Sequence, residues 1–160
     1  LVNGKTAYLI IVISIFLDRL NAGAPVTIFG DGQQTRDFVY VDDAADAFLR
    51  AGAMDECNGE AFNVGGDEPL SHRALTTMLV DVAGSGRIEY VDWPPEKKAI
   101  DIGSFYADST KFKRATGWSP AVTVREGLER TVAFYRQHLD RYIDSRDSRD
   151  PRDSQAPGCV

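Results

Sequence analysis

The chain is poor in the residues that build disulfide frameworks and metal centres. Its 160 residues include two cysteines and two histidines. Cys57 and Cys159 lie far apart and form no Cys-x-x-Cys pair, so neither a disulfide nor a zinc site is predicted, and free thiols are typical of a reducing cytoplasm. His72 and His138 fall on predicted helix surfaces, which gives no support for a metal site or a Ser-His-Asp triad.

Excess positive charge and a long hydrophobic run are also missing. The formal net charge is −6 at pH 7, and the phosphates of nucleic acids or anionic membranes would repel such a chain. The most apolar stretch, residues 8–17 (YLIIVISIFL), is shorter than the roughly 20 residues that a bilayer-spanning helix needs. We interpret it as a buried helix, with a secretory signal cleaved near residues 21–24 as the alternative. A cytoplasmic protein without nucleic-acid or membrane partners is therefore predicted.

What the sequence does contain is an alternation of strand-like and helix-like segments, which predicts an α/β domain over residues 1–143. Strands are predicted at 26–29, 36–41, 62–64 and 88–93, and helices at 11–22, 44–54, 72–83, 108–117 and from 124 onward. The predicted helix caps are Asp42 with Asp43, Ser71, and Thr123 with Glu126. Residues 94–107 are predicted to form a long irregular loop. Residues 144–160, which contain the polar repeat SRDSRDPRDS, are predicted to be a disordered tail.

The stretch with the most chemical content is residues 26–43, VTIFGDGQQTRDFVYVDD. It reads as a strand, a glycine turn and a second strand that presents Arg36 between polar neighbours. A guanidinium in such a place can hold a phosphate group through two parallel hydrogen bonds. A surface salt bridge from Arg36 to Asp31 or Asp37 is the alternative.

Three further stretches follow in the chain: residues 61–66 (AFNVGG), 105–111 (FYADSTK), and 117–120 (GWSP) with 124–128 (VREGL). Together with residues 26–43, and in this order, they resemble the extended short-chain dehydrogenase/reductases that act on nucleotide sugars. UDP-galactose 4-epimerases and dTDP-glucose 4,6-dehydratases belong to that family. The resemblance implies an α/β fold class: the substrate-binding carboxy-terminal portion of an extended Rossmann-type fold, incomplete, without the amino-terminal dinucleotide-binding core.

The resemblance also implies a set of substrate contacts. Arg36 would hold the diphosphate, and Asp101 the ribose. The family has an Arg-Pro-Gly-Asp element where this chain has residues 98–101, so Lys98 keeps the charge of the arginine but loses its bidentate fork, and Lys97 could serve as well. The complete set of implied contacts is Thr27, Phe29, Arg36, Asn63, Lys98, Asp101 and Phe105. Read without the resemblance, the two phenylalanines could be core residues, and the asparagine and aspartate turn or capping residues.

Two features of the family's chemistry are absent from the 160 residues. No G-x-G-x-x-G turn is present to approach the pyrophosphate of NAD, and no tyrosine is followed by lysine four residues later to act as the catalytic base. The resemblance therefore implies a chain that binds a UDP- or dTDP-sugar for 4-keto chemistry, with NAD and the catalytic residues in a missing amino-terminal half. A non-catalytic binding module or an inactive truncated product are the alternatives.

Without that half, residues 11–16 and 62–64 are expected to expose apolar side chains. Exposed apolar patches drive association, so marginal stability, aggregation or a homodimer is predicted.

Overall fold

The structure, a computed structural model, describes residues 12–142. In chain order its elements are α1 (Val12–Asn21), β1 (Val26–Phe29), β2 (Thr35–Arg36), α2 (Val41–Ala53), a 3₁₀ turn (Asp55–Cys57), β3 (Leu70–Ser71), α3 (His72–Ala83), β4 (Ile88–Val91), α4 (Pro95–Lys98), α5 (Thr110–Thr116) and α6 (Val124–Tyr142). The backbone of α6 departs from helical geometry at His138 (φ −127°, ψ 15°). The predictions for residues 1–11 and for the tail at 144–160, and with them the boundary at residue 143, lie outside the described residues.

The strands form two small sheets. β1 and β4 are parallel, with Val26 paired to Ile88. Parallel strands need a crossover connection, which usually contains a helix, and here α3 is one of the helices between them. β2 and β3 are antiparallel, with Arg36 paired to Leu70. Because α3 begins directly after β3, this short pairing fixes β2 against the start of α3.

The main hydrophobic core lies between α1, α3, α6 and the inner face of β1. Leu75 and Leu79 of α3 are fully buried, because a spacing of four places both on one face of the helix. The buried members of this core are Phe16, Leu17, Leu20, Val26, Leu75, Leu79, Ala83, Leu128 and Val132. The described part of the apolar run forms a helix whose Phe16 and Leu17 are buried in this core, whereas Ile15 is 39% exposed.

A second core packs α2 against α5 and the segment after α5. Phe112 and Trp118 are each 1% exposed, and their ring centroids lie 5.6 Å apart. Phe62 adds an edge contact to Phe112 at 5.4 Å. Burying one side chain of this size stabilises a fold by about 1.5–3 kcal/mol, so these aromatics anchor the chain between residues 62 and 118 to α2.

Two strand predictions and one loop prediction were wrong in extent. The strand predicted at 36–41 ends at Arg36, because β3 offers only two residues for pairing. Residues 62–64 form no strand, since no segment within residues 12–142 forms a hydrogen-bonded ladder with them. The loop predicted at 94–107 contains α4, which carries proline at its start, the place in a helix where its missing N–H costs nothing.

Two of the predicted helix caps are present. Ser71 accepts a hydrogen bond from the Ala74 amide (3.1 Å) at the start of α3, and Thr123 accepts one from the Glu126 amide (3.2 Å) at the start of α6. Gly84 ends α3 in the left-handed conformation, with φ of 64°, which favours glycine.

The predicted cap at Asp42 and Asp43 was wrong. α2 begins at Val41, so Tyr40 is the N-cap residue and its side chain makes no capping bond. Asp43 instead accepts hydrogen bonds from the backbone amides of Ala121 and Val122, both at 3.0 Å. The buried carboxylate therefore ties α2 to the segment before α6.

The apolar exposure predicted at 11–16 and 62–64 is present in part. Ile15 is 39% and Val64 37% exposed, whereas Phe16 is only 8% exposed. Larger exposed apolar side chains lie on α2. The exposed α2 face consists of Val41 (67%), Phe48 (80%) and Leu49 (74%), which is an unusual concentration of exposed large apolar side chains on one helix. None of the helices within residues 12–142 combines the length and apolarity needed to cross a membrane.

Candidate functional site

The candidate site is centred on Arg36, the last residue of β2. Its side chain is buried, with 9% of the residue exposed. Nη1 donates hydrogen bonds to the carbonyls of Thr35 (2.7 Å) and Gly103 (2.5 Å), and Nη2 lies 3.8 Å from Oδ1 of Asp101. The alternative of a surface salt bridge to Asp31 or Asp37 was wrong, because the guanidinium is buried and faces Asp101.

The loop that carries Asp101 folds back along β2. The Phe105 amide donates to the Thr35 carbonyl (3.0 Å), and the Thr35 amide donates to Oγ of Ser104 (3.2 Å). Oδ2 of Asp101 accepts a hydrogen bond from the Gly103 amide (3.2 Å). These contacts bring Arg36 and Asp101, two of the residues implied by the resemblance, into one cluster.

One donor of the Arg36 guanidinium, Nε, is left without a partner. Within residues 12–142, no atom forms a hydrogen bond with this buried Nε or with the buried Oε1 of the neighbouring Gln34. A buried polar atom without a partner costs free energy, and such atoms are rare. The Nε and Nη2 donors of one guanidinium edge match the oxygens of a phosphate or carboxylate, so this edge is suited to an anion.

An aromatic pair lies at the carboxyl ends of β1 and β4. The rings of Phe29 and Trp93 are 5.4 Å apart, and Nζ of Lys97 lies 4.6 Å from the centre of the Phe29 ring. Gly30 turns the chain with φ of +65°, and a Cβ atom there would lie 2.6 Å from Nε1 of Trp93. The glycine is therefore required for Trp93 to approach. Sequence reasoning missed Trp93, although the parallel pairing of its strand with β1 would have placed it beside Phe29.

The other residues that the resemblance implies are less closely connected to the Arg36 cluster. Thr27 is half-buried on β1, whereas Asn63 and Lys98 are exposed. Phe105 is 56% exposed, so it is not a core residue, although its backbone belongs to the Arg36 cluster. Among the described residues, neither Asn63 nor Lys98 makes a side-chain hydrogen bond to the cluster, and they stay predictions.

His72 belongs to the cluster and was missed, because it follows the capping serine and was assigned to an exposed helix surface. It is half-buried, and its amide donates to the Gln34 carbonyl (3.0 Å). Burial lowers the pKa of the imidazole, the positive charge of Arg36 lowers it further, and Asp101 partly opposes both. The pairing of β2 with β3 brings Arg36 to His72, and the fold-back of the loop after α4 brings Asp101; the sequence shows neither contact.

The lowered pKa of His72 makes a contribution to stability that depends on pH. Because the unfolded chain protonates His72 near its ordinary value of 6.5 and the folded chain resists protonation, folding is favoured at higher pH. We expect the free energy of unfolding to fall as the pH drops from about 6.5 through the lowered folded-state pKa. Urea unfolding across this range should show a flatter pH profile in His72→Gln, whereas an unchanged profile would contradict the assignment.

The two glycines of residues 61–66 let the chain pass close behind the cluster. A Cβ at Gly65 would lie 3.1 Å from the Cβ of Ala107 and would overlap the carboxylate of Asp37, and one at Gly66 would overlap the carbonyl of Phe38. The Asp37 carboxylate also accepts a hydrogen bond from the Ala107 amide (3.3 Å). The two glycines thus allow their backbone to pack closely against Asp37 and Phe38, which directly follow Arg36.

Comparison with known proteins places this arrangement in context. Residues 4–65 match the NAD dependent epimerase/dehydratase family. The chain is 38% identical over 125 residues to a UDP-glucose 4-epimerase of Mycolicibacterium smegmatis, covering 78% of this chain and 39% of that protein. It is 34% identical over 125 residues to a dTDP-glucose 4,6-dehydratase of Streptomyces griseus, covering 77% and 37%.

Solved structures agree. The fold matches UDP-glucose 4-epimerase of Thermotoga maritima, solved with UDP-glucose, with a TM-score of 0.70 and 35% identity over 80% of this chain and 40% of that one. It matches UDP-glucuronic acid 4-epimerase of Bacillus cereus, solved with UDP-glucuronic acid and NAD, with a TM-score of 0.67 and 31% identity, covering 79% and 40%. The chain thus spans about 40% of the length of these relatives. It is an α/β portion of the extended short-chain dehydrogenase/reductase fold, and it belongs to the NAD dependent epimerase/dehydratase family.

Proposed function

We propose that this chain binds the nucleotide diphosphate of a UDP- or dTDP-sugar in an NAD-dependent epimerase or dehydratase. The observation that carries the proposal is the buried edge of Arg36, whose Nε has no partner and whose Nη2 lies 3.8 Å from Asp101. A separation of 3.8 Å is too long for a strong charge-assisted hydrogen bond. A diphosphate oxygen can therefore take the Nε and Nη2 donors without breaking the two bonds that Nη1 makes to backbone carbonyls.

The surroundings of Arg36 suit the rest of a nucleotide. Phe29 and Trp93 offer an aromatic surface near the turn before β2, and aromatic faces pack well against nucleobases. Asp101 offers a carboxylate that can accept hydrogen bonds from ribose hydroxyls. Lys97 and Lys98 add positive charge at α4, which favours a dianionic ligand.

Our proposal assigns NAD and the catalytic base to a second structural unit. The 160 residues hold neither a G-x-G-x-x-G turn nor a tyrosine with lysine four residues later. We propose that a unit holding NAD packs against the exposed α2 face, where Val41, Phe48 and Leu49 lie in solvent. That unit would oxidise the sugar at C4, and this chain would position the sugar by its diphosphate.

A titration with UDP-glucose, followed by amide NMR on the labelled chain, tests the proposal. We expect the amides of Arg36, Gly103 and Phe105 to shift. Arg36→Lys keeps the charge but loses the fork, and a charge-assisted hydrogen bond contributes about 1.5–3 kcal/mol, so binding should weaken by roughly 10- to 100-fold.

The matched control is Arg125→Lys, which changes an arginine that pairs with Asp81 on the surface at 2.8 Å. It should bind UDP-glucose like the unchanged chain. A dispersed spectrum that UDP-glucose leaves unmoved, or equal affinity in Arg36→Lys, would refute the proposal.

A further inference from the structure

The segment that carries Arg36 holds two buried polar atoms, Nε of Arg36 and Oε1 of Gln34, that have no hydrogen-bond partner among the described residues. The carboxylate of Asp101 faces the same guanidinium. The backbone carbonyl of Gln34 holds the amide of His72 at 3.0 Å, so the histidine is fixed to the segment that carries both unpaired atoms. The imidazole of His72 lies within the electrostatic influence of Arg36, so an anion held by Nε and Nη2 of Arg36 would act on the imidazole as well.

The position of His72 follows from the short antiparallel sheet. Arg36 pairs with Leu70, and His72 is the residue two places later, at the first position of α3. The N-terminal turn of a helix also favours negative charge through its free N–H groups and dipole. The two residue pairs between β2 and β3 thus bring the start of α3, and with it His72, close to Arg36.

The charges that act on the imidazole come from two other elements. Arg36 of β2 opposes its protonation, and Asp101 of the loop after α4 favours it. On its own helix, the neighbouring Arg73 turns toward the ring of Tyr90, with its guanidinium carbon 5.1 Å from the ring centre. In the chain without a ligand, burial and then the positive charge of Arg36 lower the pKa of His72.

We propose that His72 takes up a proton from solvent when the diphosphate of a nucleotide sugar binds at the Arg36 edge, and that it then acts as a second cation for that diphosphate. This inference rests on the function proposed above. Burial is the largest cause of the lowered pKa of His72 and the positive charge of Arg36 is the second. The negative charge of the diphosphate offsets the second of these. Binding and protonation of the same site must then favour each other, because linkage is reciprocal.

Calorimetry with UDP-glucose tests the inference directly. The diphosphate of UDP-glucose is a diester, so its charge stays constant near neutral pH, unlike the terminal phosphate of UDP. Titrations near pH 7 in two buffers with different ionisation enthalpies report the number of protons taken up. We expect a fractional uptake in the unchanged chain, and an affinity that rises as the pH falls, by roughly tenfold for each unit by which the ligand raises the pKa of His72.

Two variants separate His72 from other sources of protons. His72→Gln should bind UDP-glucose without proton uptake and with an affinity that does not change between about pH 6 and 8, because glutamine does not titrate. His138→Gln removes the other histidine of the chain and should leave the uptake intact. His72→Asn serves as a second variant if the glutamine variant does not fold.

The outcomes are distinct. Binding without proton uptake by the unchanged chain, or equal uptake by a folded His72 variant, overturns this inference and leaves the proposed function standing. An absence of UDP-glucose binding at every pH overturns both.

Discussion

Replacing Gly66 with alanine is expected to lower the free energy of unfolding by about 1–3 kcal/mol, the usual cost of forcing a methyl group into a closely packed place. The added Cβ would overlap the carbonyl oxygen of Phe38 and lie 3.1 Å from its carbonyl carbon. Those atoms are backbone, so no side-chain rotation can relieve the contact. The segment after Arg36 must shift, and the unfolding midpoint in urea should fall.

Gly52 provides the matched control. It lies within α2, and a Cβ there would have no neighbour within 4 Å. Gly52→Ala should therefore stabilise the chain by about 0.5–1 kcal/mol, because alanine loses less backbone freedom in a helix. Equal midpoints for the two alanine variants would show that the close approach of Gly66 to Phe38 is not a feature of the folded chain.

Asp43→Ala is expected to have an effect of at least the same size. The variant removes two hydrogen bonds to a charged acceptor, from Ala121 and Val122, and bonds of this kind contribute about 1.5–3 kcal/mol each. Because both amides are partly exposed to water, we expect a total loss of roughly 3 kcal/mol. This is a large part of the 5–15 kcal/mol that usually stabilises a domain, so the thermal and urea midpoints should fall steeply.

The preceding residue is the control for this variant. The side chain of Asp42 is 72% exposed, and its carboxylate lies 3.7 Å from Arg130, an arrangement that contributes little in water. Asp42→Ala should leave the unfolding midpoint close to its original value, and Asp43→Asn should lie between, since one carboxamide oxygen can still accept one amide. A midpoint for Asp43→Ala that matches Asp42→Ala would mean that the buried carboxylate does not hold the two segments together.

Residues 38–41 show how a strand-like arrangement of side chains can occur without a strand. Phe38 packs against the main core, whereas Val39 packs against the second core. Successive side chains therefore point to opposite sides, as in a strand, but no ladder forms beyond Arg36. The sequence predicted a strand at 36–41, and it could not reveal that the partner strand has only two residues.

In the candidate site, too, the local sequence predicted some features, whereas others depend on distant contacts. Arg36 and Asp101 were linked by motifs that stand in the same order as in a known family, and the structure brings their side chains together. His72 and Trp93 were not, because their environment depends on contacts between distant segments. The lowered pKa of His72 needs its burial and the pairing of β2 with β3, which brings Arg36 near it, and the place of Trp93 needs β4 to pair with β1. Neither contact leaves a local mark on the sequence.

The pairing of Val26 with Ile88 also sets an order of events during synthesis. β1 leaves the ribosome before β4 is synthesised. The edge of β1 that pairs with β4 therefore stays unpaired while α2 and α3 are synthesised. Closing so long a loop is entropically costly, and contacts between distant residues slow folding. The helices have local contacts and can form first, and the joining of β1 to β4 is then the step that completes the aromatic pair of Phe29 and Trp93. Nascent chains that stop short of Val91 would present β1 as an open edge to other chains.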